Sequence, residues 1–168
     1  YASLYAVLVI FLAPISLGPI QLRVADCLLP LVTLFGWPVI LGATLGCFVG
    51  NIFGGIIVFG SFNLIDVVLG STANFVASLA IFTLRRKRFL SCIVGSILIG
   101  VIVGGYLWLF FSPPDIFGLS IQPWIAMIIS LTLSSLIAIA GIGYILLLAL
   151  SQPNIIGPIR AKGLKVYL

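Results

Sequence analysis

Between Asp26 and Arg85 the chain carries one charged side chain, Asp66, and between Arg88 and Arg160 one more, Asp115. Stretches this long without charge cannot form the outer surface of a water-soluble domain, about a quarter of whose residues are charged. They suit helices that cross a bilayer, where the helix satisfies its own backbone groups and apolar side chains meet lipid. Of the 168 residues, 62% are hydrophobic and 7% charged. The fold class expected is all-α, a polytopic membrane protein. A net charge of +5 does not imply nucleic acid, because the basic residues fall in two short clusters that act as topological signals.

Proline, glycine and charge divide the apolar sequence into six helices, over about 1–16, 24–37, 39–58, 63–84, 89–111 and 123–150, with a tail over 151–168. Together they make a single transmembrane domain, one bundle over residues 1–168. The first run is read as a helix and not as a cleavable signal peptide, since it has no basic lead and Pro14 follows without a small-residue cleavage pattern. The second is expected to stop at Gly36-Trp37-Pro38. Lysine and arginine collect on the cytoplasmic side of short loops. Arg85, Arg86, Lys87 and Arg88 follow the fourth helix and Arg160, Lys162 and Lys165 the sixth, so both termini are expected in the cytoplasm. Arg23, Asp26, Asp66 and Asp115 then lie on the outer half. The basic tail is expected to lie against anionic lipid.

Polar groups at membrane depth are expensive and face a partner or a wet cavity. Asn51, Asp66 and Asn74 are such groups; the plainer readings are amides that bond across helices and an acid that stabilises the first turn of its helix. Arg23 and Asp26, three residues apart, share a face if the chain is helical there. Trp108 and Trp124 read as interfacial aromatics. Gly42, Gly46, Gly50 and Gly54 recur every four residues and let another backbone approach closely, inside the bundle ahead of at a subunit interface. Cys27, Cys47 and Cys92 have no ligand spacing and read as small buried hydrophobes.

The order Gly18-Pro19-Ile20-Gln21-Leu22-Arg23-Val24-Ala25-Asp26, Leu28-Leu29-Pro30, Gly46-Cys47-Phe48-Val49-Gly50-Asn51 and Asp66-Val67-Val68-Leu69-Gly70-Ser71 resembles the queuosine-precursor transporter (QueT) family, from about Tyr5 to Leu84. The resemblance implies the substrate-binding S-component of an energy-coupling-factor (ECF) transporter, which captures a 7-deazaguanine from outside. It also implies a first helix that meets the coupling membrane subunit through an Ala-x-x-x-Ala surface, matched by Ala2 and Ala6. The second half departs from the pattern. The chain contains no Glu, the acids of the family's fifth and sixth helices are missing, and Asp26 stands where the family tends to have Glu. A neutral cyano-deazaguanine, or another small heterocycle or vitamin, thereby becomes a more plausible ligand.

A purine-like ring needs apolar walls and a few fixed polar groups. The candidate contacts are Gln21, Arg23, Asp26, Asn51, Asp66, Ser71, Asn74 and Tyr106. Asp26 or Asp66 would accept from ring nitrogens, Asn51 and Asn74 would read a carbonyl and an adjacent N–H, and Tyr106 would stack or donate. Arg23 would hold Asp26 or meet a carbonyl, and Gly18–Leu22 would form an outer lid. No cofactor is expected. The sequence has no phosphate loop, so ATP would be hydrolysed by separate ATPase subunits that act with the coupling subunit. Without His, Glu or an acid pair, the chain is not expected to be an enzyme or to bind a metal. A stand-alone channel would line a continuous polar pore, against the nearly unbroken apolar inner halves. A structural membrane subunit without ligand is the other alternative.

Overall fold

The four longest apolar runs are continuous helical elements in the computed structural model, which describes residues 1–16, 22–111, 122–161 and 165–167, leaving aside the side chains of Ile159 and Arg160. They are α4 (Trp37–Phe59), α5 (Leu64–Thr83), α6 (Arg88–Leu107) and the run Pro123–Leu150. This last run comprises α7 (Pro123–Ser135), a π-helical stretch Leu136–Gly143 and α8 (Tyr144–Leu150). At 1.5 Å per residue each reaches about 30 Å or more, the thickness of the hydrocarbon core. All described elements are helical.

The first two runs differ from the expected continuous helices. Residues 1–16 split into α1 (Ala2–Phe11) and α2 (Ala13–Ser16). Pro14 has no N–H to give, and its ring crowds the carbonyl four residues back, so the helix breaks at Leu12. The second run begins as a 3₁₀ segment, Val24–Leu31, with Pro30 inside it, and widens into α3 (Val32–Phe35). It ends at Gly36, whose φ of 66° favours glycine. Pro38 therefore does not stop this helix but sits in the first turn of α4, where a missing N–H costs nothing. With a 3₁₀ rise of about 2.0 Å per residue, the second run spans only about 22 Å. A further helix, α9 (Pro153–Ala161), lies in the expected tail.

The 3₁₀ segment occupies the centre. Ten consecutive residues, Ala25–Leu34, are buried, and α1, α4, α5, α8 and the π-helical stretch pack around them. An element that is apolar on every side suits such a position. Glycines bring the neighbours close. A Cβ on Gly46 would lie 2.7 Å from the Ala2 carbonyl oxygen, and one on Gly50 2.7 Å from Val9 Cβ. The Gly42–Gly46–Gly50 stripe thus seats α1, as the internal-packing reading has it. Gly100 and Gly104 seat α7 in the same way, against Thr132 and Ile128, and Gly143 lies against Cys27 and Pro30.

This packing sets how the Ala2–Ala6 pair on α1 is placed. Tyr1, Tyr5 and Val9 meet the glycine stripe, which carries Ala6 into the bundle at 7% exposure and leaves Ala2 half-buried. The open face of α1 is instead Leu4, Val7 and Phe11. Leu45, Ile57, Val101, Leu133 and Ile145 are likewise exposed, and an apolar surface of this extent is one that lipid covers.

Candidate functional site

At the end of the bundle opposite the Arg85–Arg88 turn, α4 gives way to α5 through Gly60, at φ 73°, and Asn63, whose side chain accepts from the Ile65 N–H at 3.0 Å. That turn places Phe59, Ser61, Phe62, Asn63 and Leu64 on the rim of a cleft of about 510 Å³. Across the cleft lie Val103 and Leu107 of α6 with Phe110 and Phe111 beyond it; Arg23, Asn51 and Asp66 form its polar part. The volume falls within the roughly 300–1,000 Å³ of small-molecule sites, as does the design of aromatic walls and few polar groups.

Each of those polar groups is held from behind. Arg23, 7% exposed, donates from Nη2 to Asn51 Oδ1 and lies 3.6 Å from Cys47 Sγ. Asn51 Nδ2 donates to the Asp66 carbonyl at 3.2 Å, and Tyr106 OH donates to Asp66 Oδ1 at 2.7 Å. Gly70 makes room for this junction, since a Cβ there would lie 2.8 Å from Asn51 Nδ2. A guanidinium with N–H groups to spare, beside a carboxylate, offers both donors and acceptors to the rim of a heterocycle.

A second cluster is fully enclosed. Tyr5 OH donates to Asp26 Oδ1 and accepts from Asn74 Nδ2 at 2.5 Å. Asp26 Oδ2, Asn74 Oδ1 and the Ser78 hydroxyl have no hydrogen-bond partner. Buried polar atoms in native proteins are almost always partnered, so three unpartnered atoms on residues of this cluster and its helix set it apart from the apolar core around it. It is not part of the cleft lining.

The expected contacts therefore separate. Arg23, Asn51, Asp66 and Tyr106 come together at the cleft. Asp26 and Asn74 form the enclosed cluster, and Arg23 bonds to Asn51 rather than holding Asp26. Tyr106 donates to Asp66 and does not line the cleft. Ser71 gives its hydroxyl to the Val67 carbonyl at 2.6 Å, along its own helix, the habitual back-bond of a helical serine. Gln21 and most of the expected lid lie outside the described residues, as does Asp115. Tyr5 and the cleft phenylalanines were not among the candidates; the available signal was that a buried tyrosine hydroxyl needs a partner. Among the described residues no three His, Cys, Asp or Glu side chains gather to hold a metal.

The chain matches the family model described as QueT transporter over residues 1–152. It matches no curated protein and no solved structure. Four apolar helices of spanning length, a lipid-suited surface and a match over most of the sequence lead to one assignment: this is a membrane protein of the QueT transporter family, a transporter family and not an enzyme family.

Proposed function

We propose that the chain is the substrate-binding S-component of an ECF-type uptake transporter and takes up a queuosine precursor of the 7-deazaguanine type. The observation that carries this reading is the cleft of about 510 Å³, where Arg23, Asn51 and Asp66 stand among phenylalanines at the end remote from the arginine turn. Under the positive-inside rule that end faces outward. The α1–α2 and 3₁₀–α3 segments complete six spans in the cell membrane, with both termini cytoplasmic. The Arg23 guanidinium donates to a ring carbonyl, Asp66 accepts from ring N–H groups, and the Phe59 and Phe111 rings, 5.4 Å apart, wall the apolar faces. A coupling membrane subunit and separate ATPase subunits supply the energy.

Isothermal titration of the purified protein against cyano-deazaguanine, aminomethyl-deazaguanine and guanine tests the proposal. Saturable one-to-one binding of a deazaguanine, weakened at least tenfold by Arg23→Gln, is the expected result. Binding of another heterocycle at the same residues would keep the receptor and change its ligand. Absence of binding, with unaltered stability in Asp66→Asn, would favour a structural subunit.

A further inference from the structure

At the opposite end of the bundle, Arg85, Arg86 and Arg88 line a pocket of about 430 Å³ together with Thr33 and Tyr167. Two of the three guanidiniums are fixed in place. Arg85 lies 4.6 Å from the centroid of Phe82 and 5.3 Å from that of Tyr167, and donates from Nη1 to the Phe82 carbonyl at 3.3 Å. Arg88 donates from Nη1 to Ser151 Oγ at 3.3 Å. Neither carboxylate among the described residues, Asp26 or Asp66, lines this pocket. Tyr167 is itself anchored, its N–H donating to the Leu34 carbonyl at 2.8 Å and its ring lying edge-on to Phe82.

The other side of Tyr167 borders a second, apolar cleft of about 590 Å³, lined by Tyr1, Phe35, Trp37, Pro38, Val39, Lys165 and the same tyrosine. A basic pocket and an apolar groove that share one wall suit a molecule with an anionic head and a hydrocarbon tail. Planar guanidiniums bind phosphate through paired N–H groups, and basic pockets between helices at this membrane face suit acidic headgroups. We infer that the Arg85–Arg86–Arg88 pocket binds the phosphate headgroup of an anionic phospholipid, with an acyl chain along the Tyr1–Trp37 groove. The site is separate from the cleft at the other end and does not depend on the ligand proposed there.

Native mass spectrometry of the full chain, released from micelles doped with phosphatidylglycerol or phosphatidylcholine, tests the inference. Retention of phosphatidylglycerol over phosphatidylcholine is expected, with occupancy falling at least fivefold in Arg88→Gln and in Arg86→Gln. Lys87→Gln removes the same charge from the same turn but not from the pocket, and should change occupancy less than twofold. Trp37→Ala should lower retention of the long-chain lipid more than that of a dihexanoyl analogue. Arg86 is exposed, so its variant reads binding even if Arg88→Gln fails to fold. Equal retention of the two lipids, or equal losses in Lys87→Gln and Arg86→Gln, would overturn the inference. So would displacement of phosphatidylglycerol by millimolar inorganic phosphate with no effect of chain length, which would assign the pocket to a soluble anion.

Discussion

Tyr5 is the side chain on which the enclosed polar cluster turns, since its hydroxyl serves both Asp26 and Asn74. Tyr5→Phe should destabilise the protein by about 1–3 kcal/mol, the cost of leaving buried polar groups unmatched, read as a lowered unfolding temperature in detergent. Tyr106→Phe removes a comparable bond to Asp66, which is half-buried; water compensates there, and the loss should stay below about 1 kcal/mol. If the two variants melt alike, the enclosed cluster does not carry the weight given to it. Arg23→Lys keeps the charge but loses the planar guanidinium whose Nη2 reaches both Asn51 and Cys47. Ligand binding should weaken about tenfold, or about 1.4 kcal/mol, in a titration. That Arg23, Asn51 and Asp66 would gather was legible because polar groups in so apolar a chain need a partner or a cavity. Where the Ser71 hydroxyl goes was not, since a helical serine that bonds to its own backbone looks the same in sequence as one that faces a cavity. Tyr5 was missed because a lone aromatic in an apolar run resembles any other core side chain.

Among the elements, the glycine contacts set which changes the bundle tolerates. In Gly46→Ala the new methyl meets the Ala2 carbonyl oxygen at 2.7 Å, a backbone atom that cannot swing aside, so α1 must shift outward. A loss of about 1–3 kcal/mol is expected, as for other overpacked sites, measurable by thermal unfolding. Gly105→Ala is the converse case: a Cβ there meets nothing within 4 Å, and replacing a helical glycine should gain roughly 0.5–1 kcal/mol. The boundaries of α4 and α5 lie within two residues of those expected, but α6 ends at Leu107, four residues before the expected 111. The first two runs could not be read as closely. Apolar composition says that a segment is buried but not whether lipid or protein buries it, and only lipid demands an unbroken α-helix of full length. Pro14 and Pro30 were the signals that those segments are irregular.

For the whole molecule, the charge distribution makes a directional claim. Cys27, Cys47 and Cys92 are buried, so single cysteines introduced at exposed positions should report cleanly. Ser61→Cys, on the rim of the cleft, should react in intact cells with a membrane-impermeant maleimide, and Lys87→Cys only after permeabilisation. The reverse pattern would invert the bundle and remove the outward-facing receptor. The 3₁₀ segment carries a further consequence. During synthesis Val24–Leu31 emerges long before the Leu136–Gly143 stretch that closes over it, with Gly143 against Cys27 and Pro30. Its irregular backbone and the Asp26 carboxylate therefore wait, incompletely enclosed, until the Leu136–Gly143 stretch has also left the ribosome. A transcript cut short before Gly143 would yield a chain whose middle has no lid of its own, a natural mark for the membrane proteases that clear unfinished products.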